Sequence, residues 1–191
     1  MQDFGIYFEL GLQHILDLAG YDHILFVIAL CCTYFVKDWR KVVILVTAFT
    51  IGHSLTLALS VFNLIRVDTA LIEFLIPVTI LITAFSNVVK RRRQKSRTDW
   101  LTYGYALFFG LIHGLGFSNY LRSLLGSEQS ITGPLFAFNV GLELGQLVIV
   151  FIVLLLSFVF TRIFAVTRRD WTFFLSAAVF GISLVMALER L

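Results

Sequence analysis

Charge, cysteine and extended polar stretches are all scarce in this chain. Of its 191 residues only 14% are charged, against 59% hydrophobic, and the mean hydropathy is +0.90. Soluble domains carry roughly 25% charged residues, so a water-soluble globule is excluded. The longest polar stretch, VKRRRQKSRTD at 89–99, suffices for a loop and leaves no room for a soluble domain. There are two cysteines, Cys31 and Cys32. They are adjacent inside an apolar run, where neighbouring positions on a helix cannot bridge each other, so they read as packing residues. The alternation of an outer-membrane barrel is absent. The N-terminus MQDFGIYFELG lacks a basic region followed by a small-residue cleavage site, so no secretory signal is expected.

What the chain does have is a succession of long apolar stretches. They predict an all-α, polytopic membrane protein built as a single bundle. About six transmembrane helices are expected, near 18–36, 42–62, 69–89, 100–118, 134–160 and 171–189. Residues 4–17, FGIYFELGLQHILD, are mixed in character and predict an interfacial or partly inserted helix ahead of the first span.

Basic residues set the orientation. Lys37, Arg40 and Lys41 follow the first span, Lys90, Arg91, Arg92, Arg93, Lys95 and Arg97 the third, and Arg162, Arg168 and Arg169 the fifth. Twelve of the 15 Lys and Arg thus fall on one side, leaving Arg66, Arg122 and Arg190 on the other. The positive-inside rule makes loops 37–41, 90–97 and 162–169 cytoplasmic and puts both termini outside. The net charge of +3 therefore reports topology and calls for no nucleic-acid partner; the lipid bilayer is the expected surrounding.

Orientation gives depth to the polar residues. Asp22 and His23 fall near the outer end of the first span, His53 in the outer part of the second and Glu73 near the outer end of the third. His113 falls near the outer end of the fourth, Asn139 and Glu143 in the outer half of the fifth, and His14 on the same side. At about 1.5 Å per residue, all lie within roughly 15 Å of the outer surface. An ionisable group inside a bilayer costs at least about 2.5–3.5 kcal/mol unless paired or wet. These groups are therefore expected to converge on one polar cavity open to the outside.

Local spacing agrees. Thr50, His53, Ser54 and Leu57 in FTIGHSLTL share a helix face, and so do Asn139, Glu143 and Gln146 in FNVGLELGQ. Gly141 and Gly145 lie on the far side of that second helix, suited to close packing. Gly110 and Gly114 flank His113, and Pro77 frees the backbone carbonyl of Glu73. Imidazoles, carboxylates and hydroxyl or amide oxygens form an N/O ligand set for a divalent ion such as Ni²⁺, Co²⁺, Zn²⁺ or Fe²⁺. The thiolate or thioether set that Cu(I) prefers is missing from the outer half. The expected metal residues are Asp22, His23, His53, His113 and Glu143, with His14, Glu73 and Asn139 as further candidates.

GYDHILFVIAL, FTIGHSLTL, Glu73, FGLIHGLGF and FNVGLELGQ, in this order, resemble the serial motifs of the HupE/UreJ family of small membrane proteins. The segment before Asp22, QHILDLAGYDH, lacks the His-Pro pair of many members. The resemblance implies a bacterial inner-membrane protein concerned with nickel or cobalt supply, with Asp22, His23, His53, His113 and Glu143 at motif positions.

Three functions follow. A metal permease must release its ion inward, yet the inner half offers hydroxyls, Asn87 and the two cysteines with no histidine or carboxylate. A zinc-dependent intramembrane hydrolase, acting on a lipid or membrane-anchored substrate, would use three histidines for zinc, Glu143 or Asp22 as base and Ser54 or Asn139 at an oxyanion. No H-E-x-x-H helix is present to favour it. The third is an accessory protein that hands ions to a membrane partner or acts as a homo-oligomer. The resemblance favours the permease. The sixth span carries no candidate ligand and reads as scaffold.

Overall fold

The structure is a computed structural model that describes residues 2–89, 99–125 and 131–191. The basic residues expected at 90–97 lie outside the described residues. Among the described residues seven α-helices follow one another: α1 (Gln2–Leu16), α2 (Asp22–Cys31), α3 (Trp39–Val61), α4 (Thr69–Val89), α5 (Asp99–Leu125), α6 (Thr132–Phe158) and α7 (Arg168–Glu189). A 3₁₀ turn at Val36–Asp38 precedes α3, and a π-helical turn at Val159–Ile163 extends α6. There is no strand among the described residues. Among the described residues, four helices are long and apolar enough to cross a membrane: Val36–Val61, Thr69–Val89, Thr132–Ile163 and Arg168–Glu189. Large apolar side chains such as Ile44, Ile51, Leu55, Phe85, Phe151 and Phe174 stay exposed on the outside of the bundle. Such a surface suits lipid and not water.

The stretch 18–36, expected as one span, contains only the ten-residue α2. At about 1.5 Å per residue that is roughly half of a 30 Å hydrocarbon core. Local hydrogen bonding explains the interruption. The Asp17 carboxylate accepts the Ala19 amide at 2.8 Å, a turn that closes α1. The Asp22 carboxylate accepts the His23 amide at 2.8 Å where α2 starts. Averaged over a span-length window, hydropathy dilutes these two aspartates and does not register the backbone bonds they make.

Helix α1 is not set apart at the edge of the bundle. It lies along α6, backbone against backbone. Gly11 faces the Phe138 carbonyl, Gly141 faces the Phe8 carbonyl, and Gly145 packs on Ile15. Numbers rise together on both helices, so the two run parallel. Helices α3 and α5 are joined in the same way: Gly52 faces Leu107, Gly110 faces Phe49 and Gly114 faces His53, each across a carbonyl oxygen. Small residues let backbones approach this closely in a lipid medium, where apolar side chains gain little by leaving lipid. Helix α4 pairs with α7 in the opposite sense, with Phe85 near Phe180 (6.0 Å between ring centroids) and Glu73 near Arg190.

The ends are set by local chemistry. Thr167 caps α7 by accepting the Asp170 amide at 3.2 Å, while its hydroxyl donates to the Asp170 carboxylate at 2.7 Å. Asn63 closes α3 in the left-handed region (φ 59°), which asparagine tolerates. Pro77 removes the donor for the Glu73 carbonyl, and the Arg190 guanidinium supplies it instead at 2.9 Å.

A methyl group at Gly52 would overlap the Leu107 carbonyl, whereas one at Gly181 meets nothing. Gly52→Ala is expected to destabilise the protein by about 1–3 kcal/mol, the usual cost of overpacking. Gly181→Ala should be neutral or mildly stabilising. Thermal unfolding of the detergent-purified variants measures both, and an unchanged Tm for Gly52→Ala would contradict the packing described.

Candidate metal centre

The interruption between α1 and α2 is where the histidines meet. His14 sits in the last turn of α1 and His23 in the first turn of α2. His53 comes from α3 and His113 from α5, held side by side by the Gly114–His53 backbone contact. Ring centroids are 4.6 Å apart for His14 and His23, 6.0 Å for His14 and His53, 5.9 Å for His23 and His53, and 5.3 Å for His23 and His113. One ring nitrogen from each of His14, His23 and His53 can be chosen so that all three lie within 4.8 Å of one another. Such a spacing suits a single ion drawn in between the rings.

Hydrogen bonds decide which nitrogens are available. The Asp22 carboxylate lies 2.9 Å from His23 Nδ1. A carboxylate at this distance accepts, so Nδ1 carries the proton and Nε2 keeps its lone pair. His113 Nδ1 donates to the Phe109 carbonyl at 2.9 Å, which leaves Nε2 in the same state. His14 Nε2, His23 Nε2, both nitrogens of His53 and His113 Nε2 are all buried with no hydrogen-bond partner. His23, His53 and His113 are 5%, 0% and 1% exposed, and His14 is half-buried.

Aromatic rings wall the cluster. Between ring centroids, Phe117 lies 3.9 Å from His14 in a tilted contact, Phe26 5.0 Å from His113, and Phe49 5.2 Å from His113. Phe138, at 5.8 Å from His14, closes the α6 side. These rings exclude bulk water, which strengthens any charge interaction within.

The expected residues separate into groups. His14, His23, His53 and His113 come together. Asp22 reaches the cluster through His23, as an orienting partner for the ring. Glu143 and Asn139 lie on the seam between α3 and α6. There Glu143 Oε1 accepts the Thr47 hydroxyl at 2.6 Å, and the neighbouring Gln146 Oε1 accepts the Thr50 hydroxyl at 2.7 Å. Ser54 lines a groove in that seam instead of facing the imidazoles. Glu73 is exposed on α4, and the carbonyl freed by Pro77 is occupied by Arg190.

Depth differs as well. Helix α5 continues to Leu125. His113 therefore stands near its midpoint instead of at an outer end. Among the inner hydroxyls, Thr79 and Thr83 bond back to Ile76 and Thr79 carbonyls, a structural use. Cys32 packs against Ser176 and Asn87. The phenylalanine wall was not read from sequence. Its signal in the sequence was the placement of Phe49 four residues before His53, Phe26 three after His23 and Phe117 four after His113, each one helical turn away.

A buried polar atom left unpaired costs about 1–3 kcal/mol. His53 has two such nitrogens. His53→Leu is therefore expected to raise the Tm of the metal-free protein, an increase of stability bought by loss of the site. Addition of Ni²⁺ or Zn²⁺ should raise the Tm of the wild type and leave the variant unmoved. Thermal unfolding with and without the ion tests this; a lower Tm for the metal-free variant would show that the imidazole already has a partner.

Comparison with known proteins gives one positive result. A family profile described as HupE / UreJ protein matches residues 1–190. No curated protein and no solved structure matches the chain. With nearly every residue covered by that profile, the chain belongs to the HupE/UreJ family.

Proposed function

We propose that the chain is a divalent transition-metal permease, or the uptake component of one, of the nickel/cobalt type. Membership of the HupE/UreJ family suggests a nickel or cobalt uptake or accessory role. The observation that carries the finer reading is the meeting of His14, His23 and His53, ring nitrogens unpartnered, at an interrupted helix. Imidazole donors in a dry pocket favour borderline ions such as Ni²⁺, Co²⁺ and Zn²⁺ over Mg²⁺ or Ca²⁺. His113 stands beside His23 as a fourth donor. Asp22 holds the His23 ring in position and contributes a negative charge that offsets part of the ion's own.

In this reading the protein resides in the bacterial inner membrane and crosses it six times. Helices α1 and α2 together form the first crossing, broken at 17–21, and both termini are outside. The basic loops 37–41, 90–97 and 162–169 face the cytoplasm. Broken helices at mid-depth are a recurring way for transporters to present polar groups to a cargo while the rest of the backbone remains paired. An ion from outside would exchange its water shell for imidazoles, then pass inward along α2. The hydrolase alternative draws no support from the geometry. Glu143 is engaged by Thr47, Asp22 by His23, and Ser54 faces another groove.

Cells producing His23→Ala or His53→Ala are expected to lose nickel and cobalt accumulation. Asp22→Asn should retain one ion per chain but bind it roughly 10–100-fold more weakly, as when an orienting partner is removed. Elemental analysis of cells and dye-competition titration of purified protein give the two readouts. Undiminished accumulation by a folded His23→Ala protein would overturn the proposal.

A further inference from the structure

The seam between α3 and α6 holds a second set of polar groups, apart from the imidazoles. Asn139, Glu143 and Gln146 occupy one face of α6, opposite Thr47, Thr50 and Ser54 of α3. The face of α6 that carries Gly141 and Gly145 is turned away, against α1. A groove of about 470 Å³ runs along the seam, lined by Thr47, Thr50, Ser54 and Asn139 among apolar neighbours.

Two acceptors in this seam lack a donor. The Asn139 amide is oriented without ambiguity, because its Nδ2 donates to the Leu135 carbonyl at 2.9 Å. Its Oδ1 is left buried with no partner. One turn on, Glu143 Oε1 takes the Thr47 hydroxyl, and Oε2 is buried with no partner. Gln146, 1% exposed, holds Thr50 through Oε1 and leaves its Nε2 unpaired. Thr47 is the partner that Glu143 has among the described residues, and it is neutral. A carboxylate at this depth costs at least about 2.5–3.5 kcal/mol unless its charge is met.

We propose that the α3–α6 seam binds a hard monovalent cation of the sodium type, through Glu143, Asn139 and the hydroxyls of Thr47 and Thr50. The donor set is all oxygen, with one negative charge. Oxygen donors suit a hard cation and offer little to nickel or cobalt when imidazoles are nearby. A single carboxylate balances a single positive charge and leaves a divalent ion half-compensated. Thr47 and Thr50 spend their protons on Glu143 and Gln146, so their oxygen lone pairs are free to turn toward an ion. Glu143 thus serves a station of its own, beside the imidazole cluster. This inference does not depend on the imidazoles binding metal.

The test uses the full chain, purified in detergent without divalent ions. Its Tm is followed as sodium chloride replaces choline chloride at constant ionic strength. A ligand that binds only the folded state raises Tm in a saturable way. The wild type should show that rise with sodium. Asn139→Leu and Glu143→Gln should lose it, and Glu73→Gln, an exposed carboxylate on α4, should keep it. Should Asn139→Leu fail to fold, Thr47→Val removes one ligand and the Glu143 partner together and should also lose the sodium response. Equal curves in sodium and choline overturn the proposal, as does a sodium response that survives in the folded seam variants.

Discussion

An imidazole nitrogen shut away from water with nothing to bond costs about 1–3 kcal/mol, and this bundle carries such nitrogens on all four of its histidines. A chain that only needed to fill space would use leucine at those positions and be more stable for it. The surroundings of the cluster fix which nitrogens are bare and keep them so. The Asp22 carboxylate and the Phe109 carbonyl take one proton each and thereby set which nitrogen of His23 and His113 stays bare. Phenylalanines fill the space where water would otherwise satisfy the rings. The break between α1 and α2 brings two histidines, nine residues apart, to within 4.6 Å. An uninterrupted helix would hold positions nine apart about 13 Å apart along its axis.

Glycine makes this arrangement possible. Gly11 and Gly141 set α1 against α6, and Gly52, Gly110 and Gly114 set α3 against α5, each at carbonyl contact. The second pair places His53 and His113 on adjoining backbones. The first delivers His14 to the same level from the other side. Packing therefore positions the rings, and hydrogen bonds orient them. Two kinds of interaction share the work, and each depends on a different set of residues.

Much of the fold was legible because apolar length is a one-dimensional property. The runs that became α3, α4, α6 and α7 stand out in any hydropathy reading. The break was not legible in that way, because it depends on two aspartates that bond to their own backbone at 17–19 and 22–23. For the site, residue type could be read: it pointed to Asp22, His23, His53, His113 and Glu143, with His14, Glu73 and Asn139 as further candidates, of which the four histidines and Asp22 lie together. Azimuth could not. Glu143 and His53 fall in adjacent turns of a depth diagram, yet Glu143 faces the seam with Thr47 while His53 faces α1, α2 and α5. Which side of a helix meets which neighbour was decided by Gly141 and Gly52, and that information only exists once the partner helices are in place.

The glycine-locked pairs also say something about motion. Backbones in carbonyl contact cannot slide or swing against each other, so α1 with α6 and α3 with α5 behave as two stiff blades. Their imidazoles are divided between the blades: His14 on one, His53 and His113 on the other, with His23 on the short helix strung from the first by residues 17–21. An ion held by His14, His23 and His53 together would pin both blades at one point, beside the Thr47–Glu143 and Thr50–Gln146 hydrogen bonds that already tie α3 to α6.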